Sequence, residues 1–92
     1  MKTLTLFYLE TCPYCIHAKR AIEELCSENP AYREIELERI EESLNPGIAE
    51  KYDYYYVPTI FDGNRKLYEA SPSQDYASIK ESIRKVFESV LR

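Results

Sequence analysis

The chain has 92 residues, 45% of them apolar, enough for one globular domain over residues 1–92 and too little for two. Sixteen acids outnumber twelve bases for a formal net charge of −4, whereas a nucleic-acid binder needs a basic footprint. The longest apolar run, Leu6 to Leu9, is far from the about twenty residues of a membrane span and too short for a signal-peptide core, so a cytoplasmic protein is expected.

In chain order, Thr3 to Leu9 is mostly apolar and reads as a buried strand. From Pro13 to Glu28, the residues Cys15, Ala18, Ile22, Leu25 and Cys26 recur at helical spacing, with Lys19, Arg20, Glu23 and Glu24 on the other face. Asn29-Pro30 stops that helix. Arg33 to Glu38 alternates, Ile35 and Leu37 against Glu34, Glu36 and Glu38, which is the pattern of a half-exposed strand. Asn45-Pro46 then opens a short helix to about Tyr52, with Asn45 as its cap and Ile48, Ala49 and Tyr52 as its apolar stripe.

Tyr56 to Asp62 is β-branched and aromatic, broken by Pro58. Gly63-Asn64 is a hairpin turn signal, and Lys66 to Ala70 returns as the partner strand. A last helix opens at Ser71 to Ser73 and carries Tyr76, Ile79, Ile83, Val86, Phe87 and Val90 at spacings of three and four. Asp75 in its first turn and Arg92 at its end suit the helix dipole. The order is β-α-β-α-β-β-α. A right-handed βαβ crossover makes the first two strands parallel, and the tight turn makes the last two antiparallel. The expected fold is α/β, a mixed four-stranded sheet flanked by helices. Residues 1–46 hold nine acids and five bases, an uneven balance expected of a solvated flank.

The chemistry sits at Thr11-Cys12-Pro13-Tyr14-Cys15, where the first strand meets the first helix. Cys12 falls at the helix start, and Pro13 suits the first helical position. Free N–H groups and the helix dipole favour an anion there, so Cys12 is the expected thiolate nucleophile, with nearby Glu10 opposing. Cys15 lies nearly one turn on, beside Cys12. A thiolate that attacks a disulfide forms a mixed disulfide, and a second thiol alongside resolves it. This makes the pair a thiol–disulfide exchange centre, with no bound cofactor.

A metal site at the same cysteines needs more ligands than the chain offers. Cys26 is eleven residues past Cys15, on the order of 16 Å along one helix, and reads as a packed core thiol. His17, the one histidine, projects away from Cys12 and reads as an exposed helix residue. Composition and spacing leave a cis Val57-Pro58 bond at its low base rate, about one in twenty X–Pro bonds. A cis bond would turn the Val57 backbone outward, free to bind an extended peptide as an added strand. Among the tyrosines around Pro58 (Tyr52, Tyr54, Tyr55 and Tyr56) one or two are expected in the core and the rest on a rim.

Together, Cys12-Pro13-Tyr14-Cys15 after a strand, Val57-Pro58, the hairpin and the closing helix resemble the glutaredoxins of the thioredoxin-fold superfamily. The resemblance spans the whole chain. It implies a cis bond before Pro58, a nucleophile at Cys12, a resolving thiol at Cys15, and a groove lined by Thr11, Pro13, Tyr14, Val57, Pro58 and Thr59. It implies protein disulfides or glutathione mixed disulfides as substrates. Three departures stand out. Leu9 holds the position of a glutathione-binding lysine, and Glu69 to Asp75 lacks the usual glycine pair, leaving Ser73 or Asp75 as substitute contacts. Val57-Pro58-Thr59 is equally a thioredoxin pattern. The electron donor is therefore glutathione or a thioredoxin-reductase-type flavoprotein. Two other readings are a glutathione-ligated iron–sulfur cluster carrier and a non-catalytic binding module.

Overall fold

A computed structural model describes residues 2–91. Strands β1 (Lys2–Tyr8), β2 (Ile35–Glu41), β3 (Thr59–Asp62) and β4 (Arg65–Glu69) alternate with helices α1 (Pro13–Glu28), α2 (Pro46–Ala49) and α3 (Tyr76–Leu91). The sheet order is β2-β1-β3-β4. β1 runs parallel to β2 and antiparallel to β3, and β3 runs antiparallel to β4. The mixed sheet flanked by helices is as the sequence implied. Gly63 makes the hairpin turn with φ 61°, a left-handed value that glycine adopts without steric cost.

The alternation of β1 splits the core in two. Leu4 and Leu6 face α1 and α3, where they meet Ala18, Ile22 and Leu25 of α1 and Ile79, Ile83 and Phe87 of α3. Phe7 points the other way, into a second cluster with Cys15, Ile40, Val57 and Phe61. Tyr52 and Tyr54 cover that cluster: their rings lie 4.7 and 5.0 Å from the Phe7 ring. Tyr55 and Tyr56 stay exposed, so the expected division of the tyrosines holds.

Several element boundaries differ from the sequence reading, each for a local reason. Asn29 turns a 3-10 helix over Pro30–Glu34 by accepting the Ala31 N–H, which delays β2 to Ile35. The stretch before Pro58 stays out of the ladder, so β3 begins at Thr59. The helix at Pro46 ends at Ala49; Asn45 does not cap it, its amide donating instead to the Glu41 carbonyl, and Ile48 is exposed. Residues 71–74 form a turn, so α3 begins at Tyr76, and the Asp75 carboxylate caps it by accepting the Ser78 N–H at 2.8 Å. Arg92 lies outside the described residues.

Phe87 is 1% exposed and its ring lies 5.4 Å from that of Tyr32. Phe87→Ala is expected to cost about 3–5 kcal/mol by urea unfolding, since the packed layers cannot collapse onto the space left. A loss below about 1 kcal/mol would show that α3 is not part of the main core.

Candidate active site

β1 ends at Tyr8, and four residues carry the chain into α1. Cys12 is the residue before the first helical turn, with extended φ −75° and ψ 125°, and Pro13 occupies the first helical position. The Cys12 N–H donates to the Leu9 carbonyl at 3.2 Å, closing the connection into a tight turn. Cys12 is half-buried and Cys15 is buried. The two thiols are close enough for Cys12 to raise the Cys15 thiol further.

Two backbone groups fix the pair. The Leu9 N–H donates to Cys15 Sγ at 3.3 Å. The Cys12 thiol donates to the Val57 carbonyl at 3.8 Å, a long contact of the kind sulfur makes. The Val57-Pro58 peptide bond is cis, as the resemblance implied. The Pro58 carbonyl accepts the Ala70 N–H at 3.0 Å, so the segment is anchored just beyond the point where it meets Cys12.

The two sulfurs have different surroundings although they stand one turn apart. Burial pushes the Cys15 thiol from 9.0 up to about 12; the Leu9 N–H acts the other way, and Cys12 and Glu42 add to the rise. Glu42 is held by Tyr54, whose hydroxyl donates to it at 2.6 Å, and burial followed by this carboxylate pushes the Tyr54 phenol above its ordinary range. Glu10 and Glu41 meet at the same rim, the Glu10 N–H donating to the Glu41 carboxylate at 3.1 Å.

The other candidate residues divide. Thr11 and Pro13 are exposed beside Cys12. Thr59 is fully buried at 0% exposure, and its hydroxyl donates to the Tyr56 carbonyl, so it supports the groove from beneath and does not line it. Pro58 is likewise buried. Tyr14 packs on the main core and donates to the Pro72 carbonyl, which ties the start of α1 to the 71–74 turn. Asp75 is committed to capping α3, and Ser73 lies exposed in the turn. His17 is half-buried, not exposed: its ring stands 5.6 Å from the Tyr76 ring, and its Nδ1 is buried without a partner. Cys26 packs partly buried against the main core, as expected. Among the described residues, no three or more His, Cys, Asp or Glu side chains are placed to hold a metal ion.

Three contributors escaped the sequence reading: the Leu9 N–H, Glu42 and Glu69. The Glu69 carboxylate accepts the Tyr55 and Tyr56 N–H groups at 2.5 and 2.7 Å and pairs with Lys66 at 2.7 Å. Apart from the Lys66–Glu69 pair inside β4, these contacts join residues that no spacing rule links.

Comparison with known proteins decides the family. The glutaredoxin family model matches residues 4–66. The thioredoxin of Methanocaldococcus jannaschii is 33% identical over 82 residues, covering 89% of this chain and 92% of that protein. The chain belongs to the glutaredoxin family. Solved structures agree on the fold. Thioredoxin 1 of Thermosipho africanus superposes with a TM-score of 0.60 at 16% identity, over 98% of this chain and 99% of that one. Oxidised thioredoxin of Plasmodium falciparum gives 0.67 at 15% identity, over 98% and 81%. Membership of this family carries a thiol–disulfide oxidoreductase-like role. No helix among the described residues is long and apolar enough to cross a membrane.

The unequal surroundings of the two thiols predict unequal labelling. With its thiol raised by burial, Cys15 holds far fewer thiolates at pH 8 than an ordinary cysteine. In reduced Cys12→Ser, Cys15 should resist iodoacetamide until the protein is unfolded; labelling at the rate of a free cysteine in the folded protein would contradict this. The sign of the linkage follows. A thiol raised in the folded state contributes stability that is intact below 9.0 and is lost as pH climbs toward about 12. Cys15→Ala should therefore flatten the alkaline decline of the urea midpoint.

Proposed function

We propose that this protein is a dithiol reductase of protein disulfides. The observation that carries the reading is the meeting of the Cys12 sulfur with the Val57 carbonyl, 45 residues away, while Cys15 waits buried alongside. A client chain that lies along Val57 as an added strand brings its disulfide to the half-buried sulfur and not to the buried one.

The cycle balances as follows. The Cys12 thiolate attacks one sulfur of the client disulfide; a Cys12–client bond forms, the client S–S bond breaks, and the second client sulfur leaves as a thiolate. Cys15 gives up its proton to the released client thiolate and attacks Cys12 Sγ. The mixed disulfide breaks, a Cys12–Cys15 disulfide forms, and the client leaves with two thiols. Two electrons and two protons from a dithiol donor, or from two glutathione molecules, restore the enzyme. No bound cofactor takes part.

Leu9 bears on the donor. It packs into the second cluster, so the site offers an apolar side chain where a lysine would meet a glutathione carboxylate. Glu10, Glu41 and Glu42 stand nearby, which disfavours an anionic tripeptide. Both features favour a protein dithiol, such as a thioredoxin-reductase-type flavoprotein, as donor in a reducing compartment such as the cytoplasm.

Three measurements test this. Cys12→Ser should abolish turnover of a protein disulfide, at least about a thousandfold, as expected when a nucleophile is removed. Cys15→Ser should accumulate the mixed disulfide, visible by mass spectrometry as enzyme plus client. Full turnover by Cys12→Ser, or an adduct on Cys15 in the wild type, would reverse the assignment. On one model disulfide, turnover driven by a thioredoxin reductase should exceed turnover driven by glutathione; the opposite ranking would assign glutathione as donor.

A further inference from the structure

The segment from Asp53 to Pro58 belongs to no strand or helix, yet it carries Val57 to the Cys12 sulfur. Its backbone is held by side chains. The Tyr55 and Tyr56 N–H groups converge on one oxygen of Glu69, at 2.5 and 2.7 Å. Two successive N–H groups aimed at one anion form a backbone nest, here filled from within the chain. The other Glu69 oxygen is gripped by Lys66 at 2.7 Å, and Lys66 also reaches the Asp53 carbonyl at 3.3 Å. Glu69 is itself fixed, as the last residue of β4 and the register partner of Thr59. The clip therefore ties the free segment to the rigid sheet.

The consequence lies in what the clip presents. Tyr55 is 87% exposed and Tyr56 52% exposed, on the residues directly before Val57. Large exposed rings on a held backbone offer apolar area and a hydroxyl at low entropic cost. A chain pairing with the Val57 backbone would pass both rings, whereas a small disulfide would reach only the sulfur.

We infer that Glu69 is a positioning residue, holding Tyr55–Val57 as the docking edge for an extended polypeptide disulfide flanked by apolar or aromatic side chains. The inference rests on the proposed disulfide reductase reading and names its client class. Glu69 touches neither client nor sulfur; it acts through the backbone it holds.

The experiment compares insulin, a polypeptide disulfide, with hydroxyethyl disulfide, a small one, on wild type, Glu69→Ala and Glu69→Gln. Glu69→Ala should raise KM for insulin about tenfold more than KM for hydroxyethyl disulfide, the loss expected when charged hydrogen bonds no longer preorganise the edge. Its kcat on insulin should fall less than twofold. Glu69→Gln keeps an oxygen for both N–H groups and should restore the insulin KM to within about threefold of wild type. Amide exchange at Tyr55 and Tyr56 should be slow in wild type and Glu69→Gln and fast in Glu69→Ala. Equal KM changes on both disulfides, or a Glu69→Gln as impaired as Glu69→Ala, would overturn the inference. So would fast exchange at both amides in wild type. A wild type that reduces neither disulfide would overturn the reductase reading itself, while the exchange data still report whether the clip exists.

Discussion

The burial of α1 against the sheet fixes where the chemistry can happen. Ala18, Ala21, Ile22 and Leu25 lock the helix onto Leu4 and Leu6, and the short connection after Tyr8 then has one place to deliver Cys12. That place is the end of β1, between β2 and β3, where the chain entering β3 brings Val57. The contact between residues 12 and 57 needs both the parallel βαβ unit and the antiparallel return. Packing on one face of the sheet thus sets the geometry at the end of its central strands.

The same packing separates two chemically identical side chains. Cys12 precedes the helix and stays half-buried; Cys15, one turn later, falls into the cluster with Phe7, Ile40 and Phe61. Burial disfavours a charged sulfur. In the proposed cycle this asymmetry gives an order of events: the outer sulfur meets the client first, and the inner one stays a thiol until a mixed disulfide has formed over it. Glu42 and Tyr54 belong to that inner environment. They enter through the aromatic cover over Phe7, which makes the second cluster part of the chemistry as well as of the fold.

Legibility followed the range of the interactions. Both ends of α1 were readable at Pro13 and Glu28, because a strict 3.6 period, a proline and an Asn-Pro stop all act within a few residues. The cysteine pair was readable for the same reason. The start of β3 was not, since Tyr56 and Val57 have strand propensity but the Tyr56 backbone is held by Thr59 and Glu69, and the Val57 carbonyl meets Cys12, in place of a ladder. Thr59 looked like a groove residue by its place after Pro58; the inward face of β3 decides otherwise. His17 looked exposed on a helical wheel, but α3 packs against that side of α1 and Tyr76 covers it. Glu69, Glu42 and the Leu9 N–H form contacts across elements and leave no local signature.

Leu9 shows how one substitution trades one function for another. A lysine at this position would carry its ammonium out to solvent to meet an anionic ligand. Leu9 instead packs beside Tyr8 and Cys12 against the second cluster, while its N–H holds the Cys15 sulfur. The Leu9 side chain thus adds apolar area to the cluster that holds the inner thiol. In the proposed function, with Glu10, Glu41 and Glu42 near the site, client recognition rests on backbone pairing and aromatic area, which the held segment before Val57 supplies.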